Sequence, residues 1–506
     1  MSTLTALARA EAVAAGRAQR TTTVRHLHLG ARPLVVIPLA MAGEANAPLA
    51  ALVGTDRDSP RLLFVPQPRN RDQRFGFAAE LAGIVLPYLT GFRGVAEAVA
   101  VNRGKEVRHR YVDAPQLLVP NSTGIQFIRL FGRSTRFRRT DGDYPVHPSV
   151  PVLGRWLTFL ADRAEHPGSC LLLGLTEALT AHWATGQSPL EDNHLPALLG
   201  WIDPPPGLTG AEAAALAEDP VSWPPAGPLT DPTFDNEVLA PAIADYEEAA
   251  DDPVRRTRAA DVLADALRSQ LEPTWRLMWQ GLDLLRALPP GGRVEQRWAE
   301  DRDAFTNFIL YLEEGGFPQP RRDGAVTAAT RLHRLERALQ SYAVQRAYDD
   351  PLVMADHRLS GEAFVGTVVL ADPNRIDDSG KRRVLRPRIM LRTSDPVQII
   401  PGAAVFSPDR PQQKARVVFV NPASDGSEGT ELVLELTGGL GRALTPAPGS
   451  VPEVGNRLCY TTLSDGFMPP GEFPDREQTP WTHGGPPTAY EEPVEPTADD
   501  AREEWA

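Results

Sequence analysis

The chain has 506 residues, of which 42% are hydrophobic and 23% are charged, and its formal net charge is −13. This length is enough for two to four domains with cores of their own, and the acidity excludes a globally basic nucleic-acid coat protein. Only two cysteines are present, which excludes a disulfide scaffold or a cysteine-only metal site. No window of 18 uncharged apolar residues occurs, so the sequence predicts no membrane span and a cytoplasmic protein with reduced thiols.

The first 149 residues are predicted to form an α/β domain. A helix is expected over 72–89, because Asp72 is a suitable N-cap and apolar residues follow at helical spacing. Short apolar runs broken by Gly, Pro and Asp predict strands on either side of this helix. These strands are expected at 24–29, 34–38, 49–54, 62–65, 116–119 and 124–131.

Residues 150–355 are predicted to form a helical domain. The spacing of apolar residues predicts helices at 153–164, 170–185, 254–287, 293–313 and 325–348. The segment 196–232 interrupts this pattern with many prolines, so an extended surface connection is expected there. Pro273 is expected to kink the long helix.

Residues 356–466 change from a period of 3.6 to a period of 2, which predicts a small antiparallel β-barrel. The expected strands lie at 363–370, 384–393, 403–406, 415–420, 432–436 and 457–461. The last segment, 467–506, is proline-rich and acidic and is predicted to be disordered. The predicted fold class is therefore an α+β multidomain chain that ends in a barrel and a tail.

Most catalytic signatures are excluded. None of the three lysines completes a phosphate-binding loop, because Gly380-Lys381 is followed by Arg382 rather than Ser or Thr. The patterns H-E-x-x-H, C-x-x-C and G-x-S-x-G do not occur, so the sequence predicts no metal, no cofactor and no catalytic residue. A cleft holding Arg139, Asp143 and His147 is the one enzyme site that the residue types suggest.

One region is strongly basic within this acidic chain: residues 101–140 hold nine Lys and Arg side chains against two carboxylates. Guanidinium groups suit phosphate oxygens, and interleaved phenylalanines can stack on bases. Residues 69–74 carry three more arginines that could join the same face. The candidate nucleic-acid contacts are Arg108, Arg110, Arg129, Arg133, Arg136, Phe137, Arg138 and Arg139.

Other interpretations of this region remain open. The arginines could clamp the chain's own acidic segment at 231–252, dock an acidic protein, or form an ordinary solvated face. The predicted barrel carries a second basic cluster on and before one strand, and small barrels often bind oligonucleotides on such faces. Its candidate contacts are Arg383, Arg386 and Arg388.

The stretch from 361 to 462 resembles the small β-barrel inserted in some superfamily-1 RNA/DNA helicases. The matching features are Gly366-Thr367-Val368, Arg386-Pro387-Arg388, Pro401-Gly402, the strand 414–420, the strand end 434–439, and Val454–Arg457 leading to Tyr460-Thr461-Thr462. In those enzymes the barrel lies beside the motor and contacts nucleic acid or regulates the motor. The remaining four fifths of the chain resembles uncharacterised actinobacterial proteins, and this resemblance implies no function.

The helicase motor and its nucleotide-binding motifs are absent here, so no catalytic residue is carried over from the resemblance. It implies a non-catalytic accessory subunit of a nucleic-acid-processing or defence assembly, working with a separate helicase or ATPase and contacting DNA or RNA. The alternatives are a purely protein-binding scaffold and an enzyme whose site the sequence does not reveal.

Overall fold

The computed structural model describes residues 2–41, 47–101, 105–380, 382–423, 429–441, 443–464 and 466. These residues divide into two compact units. The α/β unit consists of the described residues of 5–21 and 25–338, and the barrel unit consists of those of 2–4, 22–24 and 339–466. The predicted disordered tail, 467–506, lies outside the described residues. The boundaries predicted at 149 and 355 stay predictions.

The α/β unit begins with helix α1 and contains nine strands among the described residues. The strands are β1 Gln19–Arg20, β2 Leu34–Ala40, β3 Pro48–Gly54, β4 Arg61–Phe64, β5 Ala96–Val101, β6 Glu106–Tyr111, β7 Leu117–Val119, β8 Leu172–Gly174 and β9 Trp183–Ala184. The helices are α1 Thr3–Ala15, α2 Arg71–Thr90, α3 Ser122–Thr135, α4 Ser149–Ala164, α5 Leu175–Thr180, α6 Leu195–Ile202, α7 Gly210–Leu216, α8 Pro232–Phe234, α9 Ala240–Glu248, α10 Pro253–Arg286, α11 Val294–Glu313 and α12 Ala325–Asp349. Residues 3–4 of α1 and 339–349 of α12 belong to the barrel unit.

A five-stranded sheet forms the centre of this unit, in the order β4-β3-β2-β7-β8. Strands β2, β7 and β8 are parallel, whereas β3 and β4 are antiparallel to their neighbours. Every residue of β2 is buried, as expected for a strand that is covered on both faces. Helix α3 packs on β2, β7 and β8, and α10 packs on β2, β3 and β4.

Helix α2 was expected from its apolar spacing, but its cap differs from the prediction. Asn70, rather than Asp72, caps the helix by accepting hydrogen bonds from the backbone N–H groups of residues 72 and 73. By length and composition alone, residues 71–93 pass the test for a membrane span, with a mean hydropathy of 1.4. Core helices pass the same test, and Phe77, Leu81 and Val85 of this helix are buried in the main core.

Four local predictions were wrong. The strand expected at 24–29 does not form, because Arg25 makes only an isolated bridge with Pro290. Residues 124–131 lie in helix α3 rather than in a strand, because the Asn121 side chain accepts from the Gly124 N–H and starts a helix. The segment 170–185 is not one helix, since it forms β8, α5 and β9. The proline-rich segment 196–232 is not simply extended, since it contains most of α6 and all of α7.

The barrel unit confirms the prediction for the C-terminal region. Its elements are α13 Pro351–Leu359, β10 Ala363–Asp372, β11 Ile376–Asp377, β12 Val384–Leu385, β13 Arg388–Thr393, β14 Ala404–Ser407, β15 Arg410–Pro422, β16 Thr430–Gly438 and β17 Arg457–Thr461. Six of the strands close into an antiparallel barrel in the order β10-β13-β16-β15-β14-β17. Buried residues including Phe364, Leu391, Leu434 and Tyr460 form its core.

Candidate arginine-rich surfaces

One basic surface is built around the C-terminal end of α3. Three segments contribute to it, 69–75, 133–139 and 319–322, and together they contain nine arginines and a single carboxylate, Asp72. We call these segments, with Tyr144, the arginine–aromatic surface. The contacts described next bring the three segments together.

Phe75 joins the start of α2 to the end of α3. The Arg71 guanidinium carbon lies 4.7 Å from the Phe75 ring centroid, and that of Arg138 lies 5.0 Å from it. Arg71 also lies 5.5 Å from the Tyr144 ring and donates a hydrogen bond of 2.9 Å to the Tyr144 carbonyl. Arg138 donates through Nε to the Ser134 carbonyl at 2.9 Å. Aromatic faces and backbone carbonyls therefore help to hold these two guanidinium groups, and Arg71 also pairs with the Asp72 carboxylate at 2.9 Å.

Phe137 joins the end of α3 to the segment 319–322 in the same way. The guanidinium carbons of Arg136 and Arg321 lie 4.7 Å and 5.5 Å from its ring centroid. Arg136 is only 3% exposed and donates to the carbonyls of Gln319 at 2.8 Å and Pro320 at 3.1 Å. Burial and the charge of Arg133 lower the pKa of Arg136 to about 10. Arg136 is thus a structural arginine, not one that faces a ligand.

The other predicted arginines near this end of α3 are exposed to different degrees. Arg133 is exposed and donates to the Arg321 carbonyl at 3.3 Å. Arg139 is exposed and makes no side-chain ion pair with the residues that the structure describes. Tyr144 is 74% exposed, so its ring is available for stacking. Arg133, Arg138 and Arg139 are therefore the predicted contacts that this surface retains.

Three predicted contacts lie elsewhere and are neutralised by the chain itself. Arg108 on β6 pairs with Asp303 at 2.6 Å, and Arg110 pairs with Glu97 at 2.6 Å. Arg129 on α3 pairs with a carboxylate at 2.6 Å, that of Glu165. The structure therefore does not bring the whole predicted set onto one face.

Several surface residues were missed or only partly anticipated by the sequence reasoning. No sequence motif marks Phe75, Tyr144, Arg321 or Arg322. The contact between Arg136 and Gln319 joins residues that are 183 positions apart in the sequence. The adjacent pair Arg321-Arg322 was the one local feature of the sequence that could have indicated this part of the surface. Arg69, Arg71 and Arg74 could join this face by the sequence, and Arg71 lies against the same Phe75 ring as Arg138.

A second basic cluster lies on the barrel around Glu435, which is buried on β16. Arg388 on β13 and Arg416 on β15 lie directly opposite it in the strand register, and each bonds to it at 3.1 Å. Arg375 bonds to the same carboxylate at 2.8 Å. Three guanidinium groups thus share this carboxylate, and Asp377 places a second negative charge near Arg375 and Arg386. We call these residues, with Arg386, the barrel arginine cluster.

The remaining predicted residues of the barrel extend this cluster. The Arg386 N–H donates to the Arg375 carbonyl at 2.9 Å, and the Arg375 guanidinium donates to the Arg386 carbonyl at 3.1 Å. Arg386 also donates from Nη1 to the Leu385 carbonyl at 3.2 Å. Arg383 is exposed in the turn before β12. Burial disfavours the charged form of Glu435 and tends to raise its pKa. Hydrogen bonds from Arg388 and Arg416 outweigh this effect and hold the pKa below the ordinary value. Glu435 is therefore an anion at neutral pH.

Chemically reactive groups are few in the described part of the chain. Burial raises the pKa of the Cys170 thiol to about 12, so this cysteine is not a nucleophile at neutral pH. The suggested enzyme residues Arg139, Asp143 and His147 are all exposed. No group of three or more His, Cys, Asp or Glu side chains suited to a metal ion occurs among the described residues.

Comparison of the chain with protein-family models, with curated proteins and with solved structures gives no match in any of the three.

Proposed function

We propose that this protein is a non-catalytic accessory subunit that binds nucleic acid and works with a separate helicase or ATPase. The observation that carries the proposal is the arginine–aromatic surface, whose three segments contain nine arginines and one carboxylate. Guanidinium groups match phosphate oxygens, and phosphate contacts supply most of the affinity of such interfaces.

The aromatic side chains favour single-stranded over duplex nucleic acid as the ligand. Tyr144 presents its ring to solvent beside Arg71, and Phe137 is half-buried beside Arg321. Unpaired bases can stack on such rings, whereas the bases of a duplex are already stacked on one another. DNA and RNA are both compatible with contacts of this kind.

The barrel arginine cluster supports a second contact with the same class of ligand. Arg416 is 58% exposed in its side chain and Arg388 is 35% exposed, so both retain donors that face solvent. The four arginines of the cluster outnumber the two carboxylates that interact with them, Glu435 and Asp377, and guanidinium groups suit phosphate oxygens. The two free cysteines, Cys170 and Cys459, fit the reducing cytoplasm that we propose as the location.

Binding of fluorescein-labelled oligo(dT) by the full chain, followed by fluorescence anisotropy, tests the proposal. The test variant is Arg138→Ala with Arg139→Ala, and the matched control is Arg258→Ala with Arg276→Ala, two exposed arginines of α10. We expect the test variant to bind about tenfold more weakly and the control to bind as the wild type does. Equal affinities of the two double variants, or no binding at low salt, would overturn the proposal.

An acidic protein segment is the second candidate ligand for the same surface. Arg108, Arg110 and Arg129 already pair with carboxylates of the chain, which shows that arginines of this unit accept such partners. This candidate predicts that poly-glutamate competes with oligo(dT) at equal charge concentration. If the ligand is instead a single strand whose bases stack on the aromatic rings, poly-glutamate should displace it far less effectively.

A further inference from the structure

The outer face of the barrel carries a row of apolar side chains that crosses four neighbouring strands, β10, β13, β16 and β15. Each member lies directly opposite the next in the strand register, in the order Leu370, Met390, Val433 and Phe419. Directly opposite residues of an antiparallel pair have Cβ atoms about 4.5–5.5 Å apart, so these side chains are neighbours. We call these four residues the apolar row.

The apolar row faces solvent because the strand register shifts at both of its ends. Val368 and Val417 are buried in the barrel core, and strict alternation would place Leu370 and Phe419 in the core as well. A register shift precedes each of these two residues and turns it outward, so that Leu370 is 59% and Phe419 is 54% exposed. Contiguous apolar side chains on a surface mark an interaction site.

Arginines flank the apolar row on both sides. Arg388 and Arg416 lie on one side and Arg392 lies on the other, and all three side chains are partly exposed. The carboxylates that pair with them are buried beneath the surface, those of Glu435 and Glu431. Solvent beside the row therefore meets guanidinium groups. Among the described outward positions of the four strands, Asp372, at the β10 end, is the one exposed carboxylate.

The composition of the apolar row favours a peptide over nucleic acid as its occupant. Only Phe419 offers a ring on which a base can stack, whereas the other three members are aliphatic or thioether side chains. Such side chains suit the apolar side chains of a peptide. The flanking arginines add a requirement for carboxylates next to those apolar side chains.

The chain itself contains a segment with this complementary pattern. Residues 490–495 read Tyr490-Glu491-Glu492-Pro493-Val494-Glu495, in which apolar residues and three carboxylates are interleaved. From Glu491 to Ala506, seven carboxylates stand against a single arginine. The segment therefore combines apolar side chains with a strong negative charge.

The segment 490–495 is also within reach of the apolar row. It follows β17, whose last residue, Thr461, pairs with Ala363 of β10. Leu370 lies seven residues further along β10, or about 23 Å. A random coil of about 30 residues, the separation between β17 and Tyr490, has a root-mean-square length of about 30 Å.

We propose that residues 490–495 dock on the apolar row, with Tyr490 and Val494 against the row and the glutamates beside the flanking arginines. The contact is intramolecular, so the effective concentration of the segment is on the order of millimolar. A docked segment covers Arg388 and Arg416 and competes with nucleic acid for the barrel arginine cluster. This competition rests on the proposed function, whereas the docking itself does not.

Methyl NMR of the full chain labelled with ¹³C-methionine tests the docking, because Met390 is one of only six methionines. Met390→Leu assigns its signal. We expect Tyr490→Ala with Val494→Ala to shift the Met390 signal, because the Tyr490 ring no longer lies beside the methyl group. The matched control Trp481→Ala, which removes another aromatic ring from the segment 467–506, should leave the signal unchanged.

A synthetic peptide of residues 488–497 gives a second readout. Added to the Tyr490→Ala, Val494→Ala variant, it should bind saturably and return the Met390 signal to its wild-type position. A peptide with glutamine in place of its three glutamates should bind about tenfold more weakly. Phe419→Ser in the same variant should weaken binding by about tenfold. The control Leu359→Ser, at an exposed apolar position of α13, should not weaken it.

Three results would overturn the proposal. The first is the same Met390 signal in the wild type and in the Tyr490→Ala, Val494→Ala variant. The second is equal binding of the two peptides, or equal loss of binding in Phe419→Ser and Leu359→Ser. The third is a Met390 signal that responds to protein concentration or to oligo(dT) but not to the substitutions at Tyr490 and Val494, because a second copy or nucleic acid would then cover the row. None of the expected results requires that the chain binds oligo(dT), so the proposed function can fail while the docking stands.

Discussion

Replacing Glu435 with Gln tests the view that one buried carboxylate holds the barrel arginine cluster together. Glu435 accepts four hydrogen bonds from three guanidinium groups: one from Arg375, two from Arg388 and one from Arg416. A glutamine keeps the size of the side chain and one acceptor oxygen. It removes the charge and leaves three neighbouring cations without a counter-ion.

The expected loss of stability is modest, because the arginines are partly solvated. A hydrogen bond to a charged group contributes about 1.5–3 kcal/mol when it is buried, which would give a large total for four such bonds. The side chains of Arg388 and Arg416 are 35% and 58% exposed, however, so hydrogen bonds to water replace much of the interaction that they lose with the carboxylate. We expect Glu435→Gln to lower the free energy of unfolding of the barrel by about 2 kcal/mol.

The pH dependence has a defined sign. Because the folded-state pKa of Glu435 is depressed, its contribution is present above the unfolded pKa of about 4.3 and is lost as the pH falls through the folded value. The wild-type barrel should therefore lose stability between about pH 5 and pH 3, and Glu435→Gln should show a shallower dependence. Hydrogen exchange of the β13 and β16 amides, followed by mass spectrometry in urea, measures both effects.

The matched control is Glu431→Gln on the same strand. Glu431 is also buried, and it accepts a hydrogen bond of 2.7 Å from the guanidinium group of Arg392. Its replacement should lower stability by less than about 1 kcal/mol. If Glu431→Gln destabilises the barrel as much as Glu435→Gln does, or if the pH dependence is the same in the wild type and in Glu435→Gln, the reasoning is refuted.

Three further predictions concern the α/β unit, and urea unfolding followed by tryptophan fluorescence checks each. Arg136→Ala should destabilise the unit by about 3 kcal/mol, because it removes a buried group that donates to two backbone carbonyls. The folded variant should still bind oligo(dT) within about twofold of the wild type. Gly154→Ala should cost about 3 kcal/mol, because the added Cβ would lie 2.3 Å from the Arg136 backbone nitrogen where α4 crosses α3; unchanged stability would contradict that packing. Burial lowers the pKa of His28 to about 4, so stability should fall as the pH drops from about 6.5 towards 4, and His28→Gln should remove part of this slope; an identical slope in the variant would count against it.

Local pattern was sufficient to predict the barrel but not every element of the sheet region. Along β13, buried and partly exposed residues alternate strictly from Arg388 to Thr393, and this period of 2 is visible in the sequence. In α3, by contrast, Ile125, Phe127 and Phe131 fit either a strand or a helix over so short a span. The Asn121 cap decides between them, and it was the signal that the strand prediction overlooked.

The candidate site could be predicted only in part, because its geometry depends on tertiary contacts. The arginine density of residues 133–139 is a local property, so the sequence located one segment of the surface. The burial of Arg136 depends on a loop that lies 183 residues away, and no local pattern reports such a contact. Likewise, Arg108 and Arg110 look like free cations in the sequence, whereas the helix α11 residue Asp303 neutralises them in the fold.

The salt dependence of oligo(dT) binding shows whether the arginine–aromatic surface contacts the phosphates of a single strand. Each phosphate contact to a single strand contributes about 0.7 to the slope of log affinity against log salt. The account predicts that Arg138→Ala with Arg139→Ala lowers the slope by up to about 1.4, and that the control Arg258→Ala with Arg276→Ala leaves it unchanged. The same slope in the wild type and in both double variants would show that the arginine–aromatic surface does not bind the phosphates, which would contradict the account.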